Sequence, residues 1–162
     1  MPVALFTFHA YGSWMPDRRQ GYVERGGGIQ ATSQRLAEKR RSLMTQPPMV
    51  FGAGVQRRLV DRFVSICQEE GYRPHAAASD PTHLHLLVSW TDHDKPVKRI
   101  GSRIKNLLAL HLSRASGQIG RKWFSKGASR RQVQDRRHFQ HLVTRYLPSH
   151  RGVFWSEAAG FR

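Results

Sequence analysis

Apolar positions along the chain fall into short patterned runs separated by polar punctuation. Val3 to His9 is β-branched and aromatic and ends at Tyr11-Gly12, which predicts a strand followed by a turn. Ser13 to Gln30, with Trp14, Pro16 and the run Gly26-Gly27-Gly28, follows neither period and reads as a long loop. Ser33 to Gln46 is charged and moderately helical until Pro47-Pro48 stops it, a short surface helix. From Gly54 to Glu70, Val55, Leu59, Phe63, Ile66 and Cys67 recur at helical spacing, with Arg57, Arg58, Asp61 and Arg62 on the other side. Gly71 ends that helix. Arg73 to Ser79 and Thr82 to Trp90 then read as two strands joined through the turn-forming pair Asp80-Pro81, a hairpin.

A second amphipathic helix runs from about Lys95 to Ser113 on the stripe Val97, Ile100, Ile104, Leu107, Leu108 and Leu112. Beyond it, the pattern predicts a strand at Arg121 to Lys126, a basic loop at Gly127 to Arg131, and a final helix from Asp135 to Leu147. Phe139, Leu142, Val143 and Tyr146 share one face of that helix. Nothing repeats internally. The order strand, helix, hairpin, helix, strand, helix fits the α+β class, an antiparallel sheet with helices packed on one face. A chain of 162 residues is long enough for one domain with a real core and too short for two of ordinary size, so residues 1–162 are read as a single domain.

Charge changes the picture more than length does. Lys and Arg number 27 against 11 Asp and Glu, a formal net charge of +16, which exceeds what solubility requires and points to a polyanionic partner, nucleic acid first. From Lys95 to Arg162 the chain carries 16 of the 27 basic residues and only two carboxylates, Asp135 and Glu157. The binding surface is therefore expected in the second half. Lys98, Arg99, Arg103 and Lys105 on the second long helix, with Arg130 and Arg131 beyond it, are the expected phosphate contacts, and their contribution should fall with salt as counterions are released. Trp123 and Phe124 invite stacking on unpaired bases, although adjacent strand residues usually place at least one ring in the core. No run approaches the roughly eighteen apolar residues of a spanning helix. The apolar start lacks a basic leader, and a cytoplasmic location is expected. The single cysteine, Cys67, cannot form an internal disulfide and sits on an apolar helix face as a packed thiol.

The sharpest chemical signal is Pro81-Thr82-His83-Leu84-His85-Leu86-Leu87-Val88. Strand side chains alternate, so His83 and His85 point to one face while Leu84 and Leu86 point to the other and anchor the strand. Two stacked imidazoles are well placed to share a metal ion. The competing reading is a pair of surface histidines on a half-buried strand.

In its ordered set of elements the sequence resembles the single-tyrosine HUH transposases, which include insertion-sequence transposases that move as single strands and the tyrosine transposases associated with repetitive extragenic palindromes. The matching pieces are Leu5-Phe6-Thr7-Phe8-His9, the His-hydrophobic-His strand after an Asp-Pro turn, a basic helix containing Lys105, and a C-terminal helix with a tyrosine. Together they span most of the chain. The resemblance implies a ferredoxin-like fold, a prokaryotic, nucleoid-associated protein, and a homodimer acting on single-stranded DNA with hairpin ends, with no small-molecule cofactor. It also implies a divalent metal, Mg²⁺ or Mn²⁺, bound by His83, His85 and a polar residue four positions after the tyrosine, here His150. The family usually has Gln or Asn there. Histidine is still a competent nitrogen ligand, and residues i and i+4 share a helix face, but Pro148 disfavours helical geometry between Tyr146 and His150.

By the same resemblance Tyr146 is the nucleophile. A tyrosine suits strand transfer because it retains the cleaved end as a phosphotyrosine ester, conserving the bond for rejoining. Tyr146 outranks Tyr11, Tyr22 and Tyr72 because only it lies on the last predicted helix, among His141, Arg145 and His150. Its competing role is an amphipathic core tyrosine with its hydroxyl at the rim. Two other functions compete with this one: a domesticated, non-cleaving binder of structured single-stranded DNA or RNA, and a metal-dependent phosphoesterase acting on RNA, in which the histidines serve water-mediated hydrolysis and Tyr146 is only structural.

Overall fold

The computed structural model describes residues 1–17, 19, 21–24 and 28–162. In chain order its elements are β1 (Val3–His9), β2 (Tyr22–Glu24), β3 (Gly28–Gln30), α1 (Gln34–Ser42), α2 (Ala53–Glu70), β4 (Arg73–Asp80), β5 (His83–Ser89), α3 (Val97–Ser116), β6 (Ser129–Gln132), α4 (Arg136–His141), β7 (Phe154–Ser156) and β8 (Gly160–Phe161). Six strands form one antiparallel sheet in the order β6-β1-β5-β4-β7-β8. Four of them, β6-β1-β5-β4, with α2 and α3 as crossovers, make the split β-α-β arrangement of ferredoxin-like folds. The chain is α+β, as its pattern predicted. Among the described residues no helix is long and apolar enough to cross a membrane.

Alternation along the two central strands sorts the chemistry from the core. Ala4, Phe6 and Phe8 of β1 pair with Val88, Leu86 and Leu84 of β5, and all six are buried under α2 and α3. The helices present the expected stripes, Leu59, Phe63, Ile66 and Cys67 from α2, and Ile100, Ile104, Leu108 and Leu112 from α3. Gly101 sets how closely α3 can approach, because a Cβ there would meet Cε1 of Phe6 at 2.7 Å. Gly71 stops α2 in the left-handed region, at φ 71°, where glycine carries no steric penalty.

The intervening residues face the other way. Leu5, Ala76, Ala78 and Leu87 of the sheet form a second, smaller core with Leu142, Leu147 and Phe154. The last helical segment therefore crosses the face opposite α2 and α3. Thr7 and His9 of β1 and His83 and His85 of β5 lie on this second face, beside its small core.

Several elements depart from the sequence reading. The strand expected at Arg121–Lys126 is absent apart from an isolated bridge between Ala10 and Phe124, and the edge strand β6 comes instead from the basic stretch read as a loop. β6 is exposed throughout, so no apolar alternation betrays it; the free edge of β1 supplies its hydrogen-bond partners. Trp123 is buried and donates from Nε1 to Ser113 Oγ at 2.9 Å, while Phe124 packs edge-on against Phe8 and Phe51. Both rings belong to the core, which removes them as base-stacking platforms. The loop expected between Ser13 and Gln30 contains the β2–β3 hairpin; Gly26 and Gly27 lie outside the described residues. Finally, β7 and β8, which the pattern did not indicate, extend the sheet beyond β4.

Candidate metal and tyrosine site

Register on β5 creates the site. His83 and His85 sit two apart with ring centroids 4.7 Å from one another. Opposite His85 on β1 stands Thr7, whose Oγ1 is 2.8 Å from His85 Nδ1, and opposite His83 stands His9, with ring centroids 6.1 Å apart. The Thr7 contact occupies one ring nitrogen of His85 and leaves Nε2 facing the site, the arrangement in which an outer hydrogen bond orients a metal-binding imidazole. His85 is only 4% exposed. Burial, reinforced by His83, His150 and His9, pushes its pKa down to about 2, so the ring stays neutral and keeps a lone pair to offer. Thr82 Oγ1 lies 3.0 Å from His83 Nδ1, a second hydroxyl beside the pair.

The last helical segment delivers the remaining groups by an irregular path. α4 is capped by Asp135, whose carboxylate accepts from the His138 N–H at 2.7 Å. After His141 the winding opens to a π turn over Leu142–Tyr146, in which the Leu147 N–H reaches the Leu142 carbonyl, and then tightens to a 3₁₀ turn over Leu147–Ser149. Pro148 explains the change. In an unbroken α-helix its ring would collide with the Thr144 carbonyl and it would donate nothing there; the widened turn precedes it and the tight turn contains it. The helix expected to reach Leu147 as one piece is thus α4 plus two non-α turns.

The departure does not separate Tyr146 from His150. Their ring centroids are 5.2 Å apart, because His150, already in extended backbone, turns its Nδ1 back onto the Tyr146 and Leu147 carbonyls, 3.1 Å from each. Nδ1 donates to those carbonyls, which leaves Nε2 as the nitrogen able to act as a ligand. Ligand nitrogens of His83, His85 and His150 all lie within 4.8 Å of one another, so the cluster can hold a metal ion. Tyr146 stands beside it with its Oη 3.4 Å from His85 Nε2. Partial burial raises the Tyr146 pKa, and Arg131 opposes the rise.

Several neighbours were invisible as site residues in the sequence. Thr7 and His9 could have been found only by pairing β1 against β5. Asp80, a conceivable carboxylate ligand that a turn-forming role adequately explains from the sequence, places Oδ2 3.7 Å from His83 Nε2 and accepts from the Gly152 N–H at 3.1 Å.

The basic residues expected to bind nucleic acid divide among different surroundings. Arg131 pairs with Leu5 and so lies on the face of Tyr146, whereas its neighbour Arg130 pairs with Phe6 and points to the α3 side. Lys105 is tied down: its Nζ donates to the carbonyls of Ser125 at 2.9 Å and Gly127 at 2.6 Å, and burial followed by Arg130 lowers its pKa. It holds the segment leading into β6. Arg103 pairs with Glu70 at 2.8 Å, linking α3 to the end of α2. Lys98 and Arg99 are exposed near the start of α3. These four α3 residues belong to the helix layer, on the other side of the sheet from His83 and His85.

Fold and site together define an α+β protein whose antiparallel sheet carries a three-histidine cluster and a tyrosine on one face. No family model matches the sequence, and no curated protein matches it. Among solved structures the chain is similar to a REP-associated tyrosine transposase bound to a REP hairpin, with a TM-score of 0.47 and 13% identity, covering 88% of this chain and 62% of that one. The chain thus spans less than two thirds of that protein. A likeness of this degree assigns no activity, which has to rest on the site's own residues.

Proposed function

We propose that this protein cleaves and rejoins single-stranded DNA through Tyr146, with a divalent ion, Mg²⁺ or Mn²⁺, held by His83, His85 and His150, as in DNA transposition. One observation carries the reading: a tyrosine hydroxyl lies 3.4 Å from a nitrogen of a three-imidazole cluster whose ligand atoms lie within 4.8 Å of one another. A purely structural tyrosine has no need of that neighbour. The bound ion supplies Lewis-acid polarisation of the scissile phosphate.

Tyr146 gives up its phenolic proton to solvent water and its Oη attacks phosphorus. The Oη–P bond forms as the bond from phosphorus to the 3′ oxygen breaks, and that oxygen leaves as a hydroxyl. The 5′ end remains on Tyr146 as a phosphotyrosine, which an incoming 3′ hydroxyl attacks to restore the DNA and free the phenol. Arg131, on the same face, favours the phenolate and offers a cation to the flanking phosphates. Single-stranded DNA with hairpin ends is the proposed substrate and a homodimer the proposed assembly.

The test is incubation with a library of labelled single-stranded hairpins and Mg²⁺ or Mn²⁺, followed by denaturing electrophoresis. The expected result is a metal-dependent covalent species that disappears in Tyr146→Phe and His85→Ala. Retention of DNA with no adduct anywhere in the library establishes the non-cleaving binder instead. Cleavage that persists in Tyr146→Phe establishes a water-using phosphoesterase.

A further inference from the structure

We infer that Asp80 is a positioning residue for the metal cluster, a carboxylate that holds His83 and the His150-bearing segment in register. The inference rests on the metal-binding reading above. The three histidines come from two parts of the chain, His83 and His85 from a rigid hairpin, and His150 from a stretch that has just left helical winding. Something must fix the second part against the first, because ligands displaced by an ångström lose a shared ion.

Asp80 meets both parts. It closes β4 in cross-strand register with His83, on the site face, and its two oxygens diverge. Oδ2 lies 3.7 Å from His83 Nε2, while Oδ1 accepts from the backbone N–H of Gly152, two residues after His150, at 3.1 Å. The docked segment is packed without slack. A Cβ on Gly152 would lie 1.8 Å from the Ser79 carbonyl oxygen and 2.1 Å from Gln56 Oε1. The next residue is pinned as well, since the Ser79 N–H donates to the Val153 carbonyl at 2.8 Å and the Val153 N–H donates to Gln56 Oε1 at 3.4 Å. Ser79 Oγ also donates to the His83 carbonyl at 3.4 Å, but of these contacts it is Asp80 whose side chain approaches a ligand imidazole, at His83 Nε2. Its negative charge beside His83 Nε2 further favours a cation in the cluster.

The experiment is titration of the full chain with Mn²⁺, followed by electron paramagnetic resonance of the free ion, for wild type, Asp80→Ala and Asp80→Asn, with thermal unfolding of each in parallel. Asparagine keeps an oxygen for the Gly152 N–H and loses the charge; alanine loses both. Expected are Mn²⁺ affinities roughly 10- to 100-fold weaker for Asp80→Ala, the range for lost outer partners of metal ligands, and an intermediate value for Asp80→Asn at near wild-type melting temperature. Wild-type Mn²⁺ affinity in Asp80→Asn and in any folded Asp80→Ala, whatever their melting temperatures, overturns the inference and leaves Asp80 as a turn residue. If wild type itself binds no Mn²⁺, the metal reading falls and this inference falls with it. Should Asp80→Ala fail to fold, Asp80→Asn decides alone.

Discussion

Tyr146 Oη and His85 Nε2, 61 positions apart in sequence, lie 3.4 Å apart within a single chain. The distance spans two structural units, the β4–β5 hairpin and the irregular C-terminal helical segment, that share the small core of Leu5, Leu87, Leu142 and Leu147. Within one chain, then, Tyr146 stands beside that chain's own three-histidine cluster.

That arrangement makes a prediction about mixing. Tyr146→Phe keeps the histidines of its own chain and His85→Ala keeps the tyrosine of its own chain. An equimolar mixture of the two is expected to form covalent DNA adduct only at the background of each variant alone, measured by denaturing electrophoresis. Recovery of adduct in the mixture would show that the tyrosine segment crosses to a second copy.

Thr7 tests how far the site depends on its outer hydrogen bonds. Thr7→Val keeps a β-branched strand residue and removes only the hydroxyl that meets His85 Nδ1. The buried nitrogen is left without its partner, at a cost of about 1–3 kcal/mol in stability, read by urea unfolding. Mn²⁺ affinity is expected to fall by roughly 10-fold or more, because the ring is no longer held in one orientation. Unchanged affinity would mean that packing alone orients His85.

Arg131 and Lys105 should behave differently although both are basic and both were expected to touch phosphate. Arg131 is exposed on the Tyr146 face; Lys105 is bound to two backbone carbonyls. In filter binding of single-stranded DNA across a salt series, Arg131→Ala is expected to reduce the slope of log K against log salt by about 0.7, the value for one phosphate contact on a single strand. Lys105→Met is expected to leave that slope unchanged and to lower the melting temperature, since it releases the segment that leads into β6.

Much of this protein was legible in its sequence for reasons of local physics. The helical stripes of α2 and α3, the alternation of Phe6 and Phe8 on β1 and of Leu84 and Leu86 on β5, and the Asp80-Pro81 turn each report a period or a backbone preference that acts over a few residues. The same alternation placed His83 and His85 on one face before any fold was known. What lay beyond a local reading was everything decided by a partner distant in the chain. The strand β6 exists because β1 has an edge to fill, although none of its four residues is buried. Thr7 and Asp80 join the site because β1 and β4 are paired to β5 in one register. Pro148 announced that the final helix would break, and the break was real; only packing against the sheet determined that Tyr146 and His150 would still face one another across it. Sequence alone determined β1, the β4–β5 hairpin, α2 and α3 and the residues they carry, since these depend on neighbours along the chain, while tertiary structure decided the edge strands and which groups meet, because a hydrogen bond or a shared ion depends on distance in space.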